Sequence, residues 1–294
     1  MESPNIEKTI TSRQAFIFKE LRSPYFNPNW HFHPEFQISY IIKGAGTRFI
    51  GDNVQTFKEG DLVLTPPNLP HLWRSEEPYF KRDSQLSTHA MVIYFDQDLM
   101  SPPLLDREEF YALKKLVQNA SRGIEFYGST PSQVYRLLQN IGPKKGFRRI
   151  INLLEILEVM ANSSEYRLLS SPGYTNVFRT DDAEKMQLVY DYVMQRFTTN
   201  IELQDVAELL NMTTTSFCRY FKPRANKTFT RFVNEIRIGH ARKLLLEDNF
   251  NISQISYECG FNTLSNFNRQ FKAIAKMSPH EYRKLFFDIK TGIS

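Results

Sequence analysis

The chain has 294 residues, and a single domain usually holds ~100–200, so two domains are expected. A hydrophobic fraction of 41% with 14% aromatics excludes a disordered chain. Two cysteines, Cys218 and Cys259, exclude a disulfide scaffold and fit no zinc-ligand spacing. No window approaches the ~18 uninterrupted apolar residues of a membrane span, and the first residues form no apolar signal segment. A cytoplasmic protein without a membrane partner is expected. The net charge of +5 is unevenly spread: residues 1–175 carry 20 basic and 19 acidic residues, residues 176–294 carry 17 and 13. Residues 213–243 hold eight basic residues against the single acid Glu235, a local excess that suits a phosphate backbone.

In chain order, Phe32–Ile42 alternates as a strand should, with His31, His33, Glu35, Gln37 and Ser39 on one face and Phe32, Phe36, Ile38, Tyr40 and Ile42 on the other. Turns at Lys43–Gly46, Gly51–Asn53 and Glu59–Asp61 separate further strands at Thr47–Ile50 and Leu62–Thr65. Pro66–Pro70 is a rigid connector, and His71–Trp73 and Ala90–Phe95 continue the series. Short strands at nearly even spacing predict a barrel or sandwich.

After Pro103 the period becomes helical, over Asp106–Ala120, Pro131–Ile141 and Phe147–Asn162. In the third helix Asn152, Glu155, Glu158 and Asn162 form a narrow polar stripe and the rest of the circumference is apolar. A helix that apolar needs cover on two sides. The barrel on one side and the same helix of a second subunit on the other would give a homodimer held through Ile150, Leu154 and Leu157; deeper burial within one subunit is the alternative. Ser163–Thr180 has no strong period and reads as a linker. The expected division is residues 1–105 for the β domain, 106–162 for the helical dimerisation segment, 163–180 for the linker and 181–290 for a helical domain.

The last third repeats itself. Phe217-Cys218-Arg219-Tyr220-Phe221-Lys222 and Phe267-Asn268-Arg269-Gln270-Phe271-Lys272 share Phe-x-Arg-x-Phe-Lys at a separation of 50 residues. A short helix and a turn precede each, Leu203–Leu210 with Asn211-Met212 and Ile252–Cys259 with Gly260-Phe261, so each repeat reads as a helix-turn-helix. The phenylalanines at i and i+4 must face the core. Outward are Thr214, Thr215, Cys218 and Arg219 in the first repeat and Thr263, Ser265, Asn266 and Arg269 in the second, residue types that read base edges in a major groove. Lys222, Arg224 and Lys272 are expected on phosphates. The joining helix Phe229–Leu246 would be ~27 Å long, on the scale of one DNA turn.

These segments, with Asp205-Val206-Ala207, Arg237–Leu245, Cys259-Gly260-Phe261 and Ser278–Arg283, resemble the DNA-binding domain of the AraC family of bacterial transcription regulators. Asn226 and Lys276 stand where that family usually carries glycine. The resemblance implies about seven helices, binding to double-stranded promoter or operator DNA, and activation through contact with RNA polymerase.

His31-x-His33-x-Glu35, with Gly44, Gly60-Asp61, Pro66 and His71, resembles the cupin motifs, although metal-binding cupins carry the Glu further from the second His. AraC-type regulators commonly place a cupin-like sensor before the reader. The implied fold is therefore a multidomain α and β chain: a cupin-like β-barrel with a helical dimerisation segment, then an all-α domain with two helix-turn-helix motifs. Trp30, His31, His33, Glu35, Arg48, His71 and Trp73 are expected to line a pocket for a sugar or other small polar effector. That pocket reads as free of metal and cofactor, and the chain as no enzyme. A metal-dependent cupin dioxygenase or isomerase fused to a DNA-binding domain is the alternative, and a nonspecific DNA binder a third reading.

Overall fold

The computed structural model describes residues 14–26, 29–100, 102–143, 145–174, 180–247 and 250–291. Two compact units divide the chain at 176/177, apart from residues 54–56, which group with the second.

In the first unit, β1 (Phe16–Ser23), β2 (Phe36–Lys43), β3 (Gly46–Ile50), β4 (Asn53–Phe57), β5 (Leu62–Thr65), β6 (His71–Ser75) and β7 (Thr88–Phe95) are followed by the short helix α1 (Pro102–Leu105), α2 (Tyr111–Ala120), β8 (Ile124–Phe126), α3 (Thr130–Ile141), α4 (Phe147–Ala161) and β9 (Tyr166–Leu168). The strands form a six-stranded sheet in the order β1-β7-β2-β5-β8-β9 and a three-stranded sheet in the order β4-β3-β6; the residue pairings run antiparallel. Alternation sorts β2 between two cores. Phe36, Ile38 and Tyr40 join Leu64, Ile93, Ile124 and the buried faces of α2–α4. Ile41 joins Val63, Val92, Ile50, Phe57 and Trp73, drawn from both sheets, which therefore face each other. Gln37 and Ser39 share that inner face with Ile41.

Several expectations are corrected here. The strand predicted from Phe32 begins at Phe36, because Pro34 offers no backbone donor for a ladder; His31 instead forms an isolated bridge to His71. Tyr166–Leu168, expected in the linker, is an edge strand on β8, and Leu169 and Ser170 after it are buried. Of the rest of that expected linker, 175–179 lie outside the described residues. The three-residue β8 sits inside what reads as a purely helical segment, too short for any period to show.

α4 buries Leu153, Ile156, Leu157 and Met160, each contributing ~1.5–3 kcal/mol. Asn152, expected on the solvent stripe, is fully buried and donates to the Leu137 carbonyl at 3.3 Å. Leu157, expected at a dimer contact, is 1% exposed inside its own chain and Ile150 is half-buried, whereas Leu154 is 40% exposed. The exposed apolar side chains of this helix are Phe147, Ile151 and Leu154.

The second unit is helical: α5 (Thr180–Arg196), α6 (Leu203–Leu209), α7 (Thr214–Ala225), α8 (Phe229–Leu244), α9 (Ile252–Glu258), α10 (Leu264–Ala275) and α11 (Pro279–Thr291). These are the seven helices that the resemblance implies, counted among the described residues. α6 and α9 both end in a left-handed residue, Asn211 and Gly260. The next amides, Met212 and Phe261, reach back to the carbonyls of Ala207 and Ser256, which closes the helix ends. Gly260 has φ 79, and a Cβ there would stand 2.5 Å from the Phe197 carbonyl oxygen, so no other residue fits. Among the described residues no helix is long and apolar enough to cross a membrane.

Candidate functional site

Each reading helix starts on a threonine. Thr213 and Thr263 accept hydrogen bonds from the Ser216 and Asn266 amides at 3.2 Å, a cap that holds the first turn. The inward Phe217 and Phe221 pack with Phe229 and Phe232 at ring separations of 5.3–5.5 Å. Phe267 meets Phe261 at 5.4 Å and Phe271 meets Tyr282 at 5.7 Å. With those faces buried, rotation about each helix axis is set.

Thr214, Thr215, Cys218, Arg219 and Lys222 are exposed on α7, and Ser265, Arg269 and Lys272 on α10, with Asn266 half-exposed. Asn266 Oδ1 accepts from Arg269 Nη2 at 3.0 Å, holding the guanidinium along the helix face. Two predicted residues behave otherwise. Thr263 is exposed and its hydroxyl oxygen accepts the cap bond, so in position on the helix it corresponds to Thr213 and not to Thr214 or Thr215. Arg224 stacks over the Tyr220 ring at 4.0 Å and pairs with Asp182 at 2.9 Å. Asp182 is 3% exposed, and a buried carboxylate demands such a partner; nothing in the local spacing near Arg224 signals an acid 42 positions away.

In the first unit, the inner faces of the two sheets carry the polar cluster. His31 and His71 exchange backbone hydrogen bonds at 3.2 and 2.9 Å. Their side-chain Nδ1 atoms lie 2.8 Å from the Asn29 carbonyl and 2.7 Å from the Leu69 carbonyl. Nε2 of His33 and of His71 approach one atom, Gln37 Oε1, at 2.8 and 3.2 Å, and the Gln37 amide donates to Ser39 Oγ at 2.6 Å. The Glu35 carboxylate is buried, 3.4 Å from His33 Nδ1. Burial lowers the pKa of all three imidazoles, most of all that of His71. Trp73 lies edge-on to His71 at 5.7 Å. Thr65 Oγ1 and Trp73 Nε1 are buried polar atoms without a hydrogen-bond partner.

Two residues expected in this pocket are placed differently. Trp30 is 1% exposed and meets Phe49 at 6.4 Å, on the face of β3 opposite to Arg48 and Ile50. Arg48 is fully buried and pairs with Asp61 and with Glu125, which Arg167 also grips at 2.8 Å. This network ties the two sheets together, and it consumes the charge that Arg48 would have offered an anion. Burial raises the Glu125 pKa, but Arg48 and Arg167 outweigh it and hold the carboxyl below its ordinary value. Gln37 and Ser39, which the alternation of β2 places on the inward face, line the same interior; Thr65, opposite Gln37 on β5, was missed as a pocket residue. An open groove of about 540 Å³ lined by Ser129, Gln133, Glu158 and Asn162 lies outside the sandwich, and Glu165 already occupies its backbone donors.

Residues 14–172 match the family described as AraC-like ligand binding domain, and residues 206–285 match a helix-turn-helix domain family. The chain is 22% identical over 273 residues to the uncharacterized regulator YdeC of Bacillus subtilis, covering 87% of this chain and 86% of YdeC. It is 22% identical over 284 residues to the raffinose operon regulator RafR of Pediococcus pentosaceus, covering 94% and 95%. It is 25% identical over 291 residues to the transcriptional activator RhaS of Escherichia coli, covering 93% and 94%. These relatives are transcription regulators and not enzymes. A ligand-binding β domain followed by a duplicated helix-turn-helix, matched over more than half of its length, makes this chain a member of the AraC family of DNA-binding transcription regulators.

Proposed function

We propose that the protein is a cytoplasmic, homodimeric activator whose sandwich interior senses a sugar or a similar small polyhydroxylated metabolite. One observation carries the effector class: the interior gathers imidazole, amide and hydroxyl groups beside an indole ring, and Thr65 Oγ1 and Trp73 Nε1 are left without partners. A buried polar group without a partner costs ~1–3 kcal/mol, and a ligand bearing several hydroxyls removes that cost. Arg48 is already neutralised by carboxylates, which argues against a strongly anionic ligand. RafR, named for a raffinose operon, is consistent with this class.

In the second unit, Thr214, Thr215, Cys218 and Arg219 on α7, and Ser265, Asn266 and Arg269 on α10, read base edges, while Lys222 and Lys272 meet phosphates. Effector binding changes the register in which paired chains offer these helices to DNA, and the bound dimer contacts RNA polymerase.

Calorimetric titration of mono-, di- and trisaccharides into the full-length protein and its His33→Ala and Trp73→Phe variants tests the pocket. One sugar should bind the wild type and lose at least tenfold in affinity in both variants, about 1.4 kcal/mol. A sugar that binds all three proteins equally, or no binding by any, removes the assignment.

A further inference from the structure

We propose that Asn266 is a positioning residue for Arg269, and that α10 therefore imposes the stricter base requirement of the two reading helices. The inference rests on the reading above that Arg219 and Arg269 both face base edges.

The two helices form a matched pair. Thr213 and Thr263 cap them with the same bond, from the amides of Ser216 and Asn266, at 3.2 Å in both. The next residues, Phe217 and Phe267, are fully buried. Each arginine stands three positions after the capped residue, which on a helix makes the two side chains neighbours. Backbone and core thus present Arg219 and Arg269 alike, and the difference lies in one side chain.

In α10 that side chain is a carboxamide. Asn266 Oδ1 accepts from Arg269 Nη2 at 3.0 Å, and Asn266 is half-buried while Arg269 is exposed. In α7 it is the hydroxyl of Ser216, which faces the cap and accepts from the Thr213 hydroxyl at 3.0 Å. Serine ends one bond beyond Cβ, whereas asparagine carries its oxygen one bond further, toward the following turn. Arg269 is consequently held by its neighbour three positions back, and Arg219 is not.

The consequence for DNA is a difference in ordering. An arginine loses rotational freedom when it docks on a guanine edge, and that loss subtracts from affinity unless the side chain is ordered beforehand. A guanidinium has five donors in a rigid fork, so the bond to Asn266 leaves enough for the paired contact to O6 and N7. A held fork also penalises a mismatch, since it cannot swing to an acceptor on another base or to a phosphate. Arg219 can swing. One repeat then reads a strict guanine and the other tolerates substitution, although both share Phe-x-Arg-x-Phe-Lys.

The test uses full-length protein and the duplex it selects from a random pool, with competition binding to every single-base variant at one salt concentration. Arg269→Ala and Arg219→Ala locate the base pair that each arginine reads. In the wild type a change at the Arg269 pair should cost about tenfold in affinity, more than a change at the Arg219 pair. Asn266→Ala should lower discrimination at the Arg269 pair about threefold. Its melting temperature and helix content should stay unchanged, because the cap uses the backbone amide. Placed on Arg269→Ala, the same substitution should change nothing further at that pair, the non-additivity that a shared interaction requires. Ser216→Asn, which supplies α7 with the missing carboxamide, should sharpen the Arg219 pair about threefold. Additive effects of Asn266→Ala and Arg269→Ala, equal strictness at the two pairs, or no gain from Ser216→Asn overturn the positioning role and leave the arginine readings standing. Arginine variants that relax no base pair overturn both.

Discussion

Lys276 ends α10 at φ 65, a left-handed conformation that costs a side-chain-bearing residue ~1 kcal/mol relative to glycine. Asn226 ends α7 at φ 50 with less difficulty, since asparagine visits that region readily. Lys276→Gly should therefore stabilise the second unit by up to ~1 kcal/mol, read as a higher urea midpoint at unchanged slope, whereas Asn226→Gly should shift it little. Arg224 is expected to act on stability and not chiefly on DNA: Arg224→Ala leaves Asp182 buried without its cation and should cost ~1–3 kcal/mol, visible as a lowered melting temperature of DNA-free protein. The two thiols should separate cleanly. Cys218 is exposed on α7, whereas Cys259 is fully buried and its pKa is pushed up to about 12 by burial first. Alkylation of native protein at pH 8 should label Cys218 alone, and specific DNA should protect it; Cys259 should react only in denaturant.

At the scale of elements, α4 carries opposite predictions on neighbouring turns. Leu157→Ala removes a buried side chain and should cost ~2–5 kcal/mol. Leu154→Glu with Ile151→Glu touches only the exposed side and should leave folding intact while converting the protein from dimer to monomer in sizing experiments. A dimer that survives the double charge substitution places its interface elsewhere. The apolar circumference of this helix was legible in the sequence, but which residues turn inward was not. Asn152 looks like a solvent residue by composition, yet the packing of α4 on α3 gives its amide a carbonyl partner and a buried place. The strands β8 and β9 were illegible for a related reason. Three residues are less than one helical turn and too few to display an alternation, and their pairing is set by contacts some forty positions apart in the chain.

Across the whole molecule, the two units present different electrostatics. The second unit exposes Arg219, Lys222, Arg269 and Lys272 on its reading helices, so affinity for any duplex should fall steeply with salt. Arg269→Ala should cost ~1–3 kcal/mol at the matched site and relax preference at one base position, while Lys222→Ala should weaken all sequences alike and flatten the salt dependence. A footprint and salt series in which both variants behave identically would contradict the division between reading and anchoring.

Helix period, the duplicated Phe-x-Arg-x-Phe-Lys and the alternation on β2 are local patterns, fixed by residues a few positions apart, and they were sufficient for the reader domain, its outward faces and the polar strand of the sensor. The tertiary structure alone decided the fates of Arg48, Arg224, Trp30 and Leu157. Each looks available in sequence and is consumed by a carboxylate, a ring or a core contributed from a distant segment. Burial and ion pairing depend on what arrives from elsewhere in the chain, and periodicity carries no information about that partner.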